Sequence, residues 1–273
     1  METMKPRIII TGASGAMGAA ATEALAAQGR PVLMAVRNPA KAAAVREAIL
    51  ARVPRADLEI AELDLASQAS VRLFAASVAP GSVAALFNNA GVISRQYQKT
   101  EEGFEKTFAV NYFGPWLLTQ LLLPKLAPGT PIVNMVSLSC KFVDVDVASL
   151  QPGPDAFSQI KTYARSKRAL LSFTLELARR HPELVVNMAD PGIVASDMID
   201  LGHWFDPLTD VLFKPFCKRP AQGVQPALRA LAATAGPRYY VAQKNREIPR
   251  CFLDAALDAR LWEATASLTG VSA

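Results

Sequence analysis

The stretch Pro6-Arg7-Ile8-Ile9-Ile10-Thr11-Gly12-Ala13-Ser14-Gly15-Ala16-Met17-Gly18 constrains the chain more than any other. A β-branched run enters a turn with three glycines at three-residue spacing, and an alanine-rich stretch follows from Ala19 to Gln28 until Gly29 stops it. Strand, glycine turn and helix is the context in which such a pattern has a mechanism. Gly12 permits a sharp turn where a β-carbon would clash. Gly15 lets the backbone approach a phosphate, and Gly18 lets the helix pack closely on the strand. The amides of the first helical turn then face the anion. Gly12, Ser14, Gly15, Met17 and Gly18 are therefore the candidate contacts of a dinucleotide pyrophosphate. A glycine-rich βα turn without a ligand is the alternative for the glycines alone.

The rest of the chain repeats the strand-then-helix rhythm. Val32–Val36 reads as a strand buried on both faces, Ala40–Arg52 as a helix, and Leu58–Leu63 as a third strand. Ser67 can cap a helix over Gln68–Val78, and Val83–Phe87 is a fourth strand. Glu101–Leu126 reads as a long helix, Pro131–Val136 as strand five, Phe157–Arg180 as a helix and Val185–Ala189 as strand six. Val224–Thr234 and Leu253–Leu268 are helical, and Tyr239–Gln243 is a candidate seventh strand. Such alternation predicts an α/β, Rossmann-type, doubly wound parallel sheet of seven strands with helices on both faces. Ligands of open parallel sheets bind at the strands' C-terminal ends. Gly12, Arg37, Asp64, Asn88 to Gly91 and Ser137 all fall at such ends.

A chain of 273 residues with 51% apolar composition can bury a full core, and no linker or repeat divides it. A single domain is expected: residues 5–192 as the nucleotide-binding and catalytic core, 193–220 as a substrate lid or helices packed on the core, and 221–273 as C-terminal helices with the last strand. The net charge of +5 is modest and its basic residues are scattered, which argues against a nucleic-acid binder. Cys140, Cys217 and Cys251 form no metal spacing and only two histidines are present, so no zinc site is expected. Sparse cysteines suit a reducing compartment. No run reaches the roughly 18 apolar residues of a membrane span. A cytoplasmic protein is the expectation.

An acid about 20 residues past the glycines commonly holds the adenosine ribose. Here Val36 stands at that point and Arg37-Asn38 follows. An arginine pairs with a 2′-phosphate where an acid would repel it, so Arg37, with Asn38 beside it, predicts NADP(H) in preference to NAD(H). Tyr163 and Lys167 stand four residues apart in a helical stretch and share a face. A cation there is expected to lower the phenol's pKa, letting Tyr163 give a proton to a carbonyl oxygen as hydride reaches the carbon. Ser137, or less favourably Ser139, would hydrogen-bond the same oxygen. A second Tyr-x-x-x-Lys, Tyr240 and Lys244, lacks the cofactor-side neighbours. Asn111 either satisfies backbone freed nearby or holds a functional water. Gly12-Ala13-Ser14-Gly15-Ala16 also looks like a nucleophile elbow, with His181 or His203 as base, but no Asp–His pairing accompanies it.

Together these residues resemble the short-chain dehydrogenase/reductase family, closest to its retinol dehydrogenase and protochlorophyllide reductase-like members. The resemblance rests on Thr11 to Gly18, Asp64-Leu65, Asn88-Asn89-Ala90-Gly91, Asn111, Ile132 to Ser137, Tyr163-Ala164-Arg165-Ser166-Lys167 and Asp190-Pro191-Gly192. It implies a Ser137–Tyr163–Lys167 site supported by Asn111, which would hold a helix kink and a proton-relay water. Lys167 would also bind the nicotinamide ribose, and Asp64 and Leu65 would flank adenine. Asn89, Ala90 and Gly91 would line the cofactor cleft, and Pro191, Gly192, Val194 and Ser196 its nicotinamide end. The implied substrate is a small-molecule carbonyl or alcohol, bulky and apolar. The implied assembly is a homodimer or homotetramer through the helices holding Asn111 and Tyr163, although this branch also has monomers. Two features depart from the family pattern: the glycine spacing is that of its extended branch, and the gap from Ser137 to Tyr163 is long. A non-catalytic, dinucleotide-sensing regulator is the alternative function.

Overall fold

The computed structural model describes residues 5–194, 218–242 and 244–271. Eight strands form one sheet in the order β3-β2-β1-β4-β5-β6-β7-β8. They are β1 (Arg7–Thr11), β2 (Val32–Val36), β3 (Leu58–Glu62), β4 (Val83–Asn88), β5 (Pro131–Met135), β6 (Val185–Asp190), β7 (Tyr239–Val241) and β8 (Lys244–Arg246). β1 to β7 pair in parallel, whereas β8 is antiparallel to β7. The seven-stranded expectation is thus corrected by a short edge hairpin. Its Tyr240 faces Asn245 and its Lys244 faces Val241, so the second Tyr-x-x-x-Lys wraps a turn and never shares a helix face. β8 is exposed throughout and charged, which hides it from a hydrophobicity pattern.

Helices cover both faces because the strands are apolar on both. On β1, Ile8 and Ile10 join one core with α1 (Ala16–Ala27), α2 (Pro39–Arg52) and α8 (Gln225–Leu231), the last preceded by the short α7 (Pro220–Gly223). Ile9 points the other way, into a second core with α3 (Gln68–Ser77), α5 (Gly114–Leu122), α6 (Gln159–Arg180) and α9 (Ala255–Thr269). Alternating side chains of one strand thereby feed two layers. Caps fix the helix starts: Ser67 accepts from Ser70 N, Asn38 from Lys41 N, and Asp254 from Leu257 N.

The helix expected from Glu101 begins later. Glu105 caps the short α4 (Lys106–Phe108), a π turn follows at Ala109–Phe113, and α5 continues the rod. Between Ser137 and α6 the chain folds into three short 3-10 turns, Leu138–Phe142, Ala148–Leu150 and Pro154–Ala156. They account for the long gap between the serine and the tyrosine. Among the described residues no helix is long and apolar enough to cross a membrane. Most of the expected lid at 193–220, with Ser196 and His203, lies outside the described residues.

Candidate active site

The strand order reverses between β1 and β4, and the crevice opens there. Thr11 at the end of β1 ties the two strands: its hydroxyl accepts from the amides of Asn89 and Ala90, each at 3.0 Å. Asn89 Nδ2 returns a bond to the Thr11 carbonyl at 2.9 Å. Thr11 was not singled out from the sequence, although it directly precedes Gly12. Gly12 has φ +65°, and a β-carbon on it would sit 3.0 Å from Ala90. A β-carbon on Gly18 would lie 2.3 Å from the Gly12 carbonyl oxygen, so α1 rests directly on the turn. Gly15 is the N-cap of α1 and supplies no side-chain cap to its first amides. A tight turn, a close helix and uncapped amides fit the pyrophosphate of a dinucleotide.

The nucleotide turn reaches the candidate catalytic residues through Gly91. A β-carbon there would stand 3.3 Å from Lys167 Nζ and 3.5 Å from Asn111 Oδ1. Asn111, fully buried in the π turn, donates to the Val92 carbonyl (2.9 Å) and Ser166 Oγ (3.0 Å) and accepts from Val92 N (2.8 Å). Both amide hydrogens are engaged, so Asn111 clamps the β4 loop to α6. Ser166 is the unforeseen partner; its place beside Lys167 in the Tyr-Ala-Arg-Ser-Lys run was the available signal.

Tyr163 is half-buried on α6 and its hydroxyl hydrogen-bonds Ser137. Ser137 caps the turn at Leu138–Phe142, and its Oγ accepts from Ser139 N (3.3 Å) and Ser139 Oγ (3.0 Å). Ser139 therefore supports Ser137 through both its amide and its hydroxyl. Lys167 is 2% exposed and donates to the Met135 carbonyl at 2.8 Å. Burial pulls its ammonium down to about 8. The expected lowering of the phenol by Lys167 is not observed. Burial instead pushes Tyr163 up to about 12, the Ser137 bond opposes this, and Cys140 and Asp190 add to it. Low dielectric raises the phenol more than its neighbours lower it. Cys140, buried in the same region, is itself pushed up to about 12 and stays a thiol.

Other candidates take structural places as well. Asn38 caps α2, and Arg37 is exposed just before it. Asp64 Oδ1 accepts from Ala66 N at 2.9 Å. Leu65 is 6% exposed and packs in the core, its carbonyl 2.5 Å from a β-carbon placed on Gly114. Met17 lies against Gly223, with Sδ 3.0 Å from a β-carbon there. Pro191 and Gly192 follow β6, and Val194 bridges to Lys218. His181 pairs with Glu183 at the far end of α6.

A family model described as short chain dehydrogenase matches residues 6–201. The chain belongs to the short-chain dehydrogenase family. Retinol dehydrogenase 14 of Homo sapiens is 31% identical over 97% of this chain and 86% of the relative. Polyprenol dehydrogenase of Mus musculus is 34% identical over 96% of this chain and 83% of its own length. Among solved structures, an uncharacterized protein from Mycobacterium Paratuberculosis matches with TM-score 0.75 and 28% identity, covering 99% of this chain and 97% of that one. A short-chain dehydrogenase from Sphingobium yanoikuyae in complex with NADPH shares the fold at TM-score 0.64 and 21% identity, over 98% and 96% of the two chains. Membership makes this protein an oxidoreductase of a family that uses nicotinamide dinucleotides.

Proposed function

We propose that this short-chain dehydrogenase uses NADP(H) in preference to NAD(H), with Tyr163 as proton donor and acceptor, on a bulky apolar carbonyl or alcohol. The observation that carries the reading is the convergence of Tyr163, Ser137 and Lys167 where Gly91 brings the nucleotide turn to the lysine. When bound, the nicotinamide supplies or takes the hydride. At neutral pH the raised phenol keeps its proton, the state needed to protonate a carbonyl oxygen as negative charge develops on it. Ser137 hydrogen-bonds the same oxygen, and the Lys167 ammonium beside Gly91 is placed to bind the nicotinamide ribose.

The coenzyme preference rests on Arg37. Arg37, Arg95 and Lys106 line one open cleft of about 430 Å³, together with Ser94, Gln96 and Gln98. No acid lines it, and cationic forks with amide donors suit a phosphate. The substrate class rests on Leu138, Phe142, Ile160 and Ile193, exposed at 41%, 77%, 52% and 64% on the segments that carry Ser137, Tyr163 and Gly192. Apolar side chains left exposed on these segments offer contacts to an apolar substrate. The two curated relatives are named for retinol and polyprenol.

NADPH consumption against paired long-chain and short-chain aldehydes, ketones and quinones tests the reading. Tyr163→Phe is expected to abolish turnover while NADPH binding, followed by coenzyme fluorescence, persists; normal activity in this variant rejects the proton-donor role. Arg37→Ala is expected to weaken NADPH binding by about tenfold or more, the worth of a charge-assisted bond, with little change for NADH. An equal loss for both coenzymes removes the 2′-phosphate assignment.

A further inference from the structure

Asp190 is 1% exposed at the end of β6, where an apolar residue would complete the strand equally well. A buried carboxylate is costly unless hydrogen-bonded. Its two oxygens serve two different elements. Oδ1 accepts from Gly192 N at 2.8 Å, and Oδ2 accepts from the Tyr239 hydroxyl at 2.5 Å. The first bond closes the turn after Pro191, where Gly192 adopts φ +71°, a conformation side chains rarely accept. The second comes from β7, which pairs with β6 in parallel through Met188↔Tyr239, Ala189↔Tyr240 and Asp190↔Val241. Tyr239 is 2% exposed, and its ring stands 6.3 Å from Phe252 in a cluster that includes Cys140 and Val136. The other side of the turn is held too: Lys218 Nζ donates to the Pro191 carbonyl at 3.1 Å.

We propose that Asp190 and Tyr239 are positioning residues that fix the Pro191–Gly192 turn at the nicotinamide end of the site, so that the sheet's last parallel strand sets the geometry of the coenzyme. The inference rests on the reading that a nicotinamide dinucleotide lies across this lip. A turn cap alone needs one carboxylate oxygen and no partner from β7. The second oxygen, bonded to a side chain whose ring is packed in a separate cluster, gives the turn a rigid reference. Burial and the adjoining carboxylate both push the Tyr239 phenol up, so it remains the donor. Both bonds are of the charge-assisted kind, which is shorter and stronger than neutral pairs.

Three variants of the full chain test this, each read by fluorescence titration with NADPH. Asp190→Asn can still accept from Gly192 and can donate to Tyr239, so NADPH affinity is expected to stay close to wild type. Retained affinity in this conservative variant, set against loss in Asp190→Ala, is the rescue expected of a turn held by these hydrogen bonds. Asp190→Ala loses both bonds, and NADPH dissociation is expected to rise about tenfold or more, as for loss of hydrogen bonds to a charged group. Should that variant fail to fold, Tyr239→Phe decides, because it removes one hydroxyl and keeps the ring; its NADPH dissociation constant is expected to rise several-fold. Wild-type NADPH affinity in folded Asp190→Ala or in Tyr239→Phe, or loss in Asp190→Asn as large as in Asp190→Ala, overturns the proposal alone. A wild-type protein that binds no NADPH overturns the dinucleotide reading, and this inference with it.

Discussion

Lys167 shows how function and stability oppose each other at a single residue. The residue is 2% exposed, and its ammonium donates to the Met135 carbonyl. Burial lowers its pKa from 10.5 to about 8. In the ligand-free protein, the unfolded chain therefore holds this proton more tightly than the fold does. The penalty is complete below about pH 8 and fades as pH rises towards the unfolded value, because stability rises with pH where the unfolded state binds more protons. Lys167→Met is expected to stabilise the ligand-free protein at pH 7 by about 2 kcal/mol, after roughly 1 kcal/mol is lost with the Met135 bond. Denaturation curves at pH 7 and pH 10 check this: the gain shrinks at the higher pH. A gain that is absent, or equal at both values, removes the argument. The same variant loses coenzyme turnover, since the cation beside Gly91 that would hold the nicotinamide ribose is gone.

At the scale of elements, α9 is fastened onto α5 and α6. Trp262 is 3% exposed, with its ring 5.7 Å from both Trp116 of α5 and Phe173 of α6, and the Arg180 guanidinium 4.7 Å above it. Tyr112 of the π turn bonds Thr265 at 2.7 Å. Arg179 joins Glu176 to buried Asp258 at 2.8 and 2.7 Å. Trp262→Ala is expected to lower the unfolding free energy by about 3–5 kcal/mol, the range for removing a buried large aromatic. A loss under about 1 kcal/mol in chemical denaturation would show that α9 stands outside the cooperative core. The helix starting at Leu253 was legible as helix, since caps and spacing are local. The late start at Lys106 was not legible, whereas the kink at Asn111 was implied by the family resemblance and takes the form of a π turn. A bridge between Lys99 and Glu105 diverts the chain first, and the π turn is set by what Asn111 clamps.

At the scale of the whole molecule, β-branched runs and glycine turns identified the doubly wound sheet and the lip where ligands bind. Local patterns determine these because strand period, helix caps and the turn at Gly12 each depend on neighbours in the chain. The grouping of Ser137, Tyr163, Lys167 and Asn111 was legible only through their order in a family pattern, since spacing alone gave Tyr240–Lys244 equal standing. Tertiary structure decided what those side chains meet. It raised the Tyr163 phenol that the sequence suggested would be lowered, because burial depends on packing from remote segments. It turned Ser139 towards Ser137, added an antiparallel eighth strand, and joined Asp190 to Tyr239 across 49 residues of chain. Dielectric environment and long-range hydrogen bonds arise only when distant segments share one volume, and no local pattern encodes them.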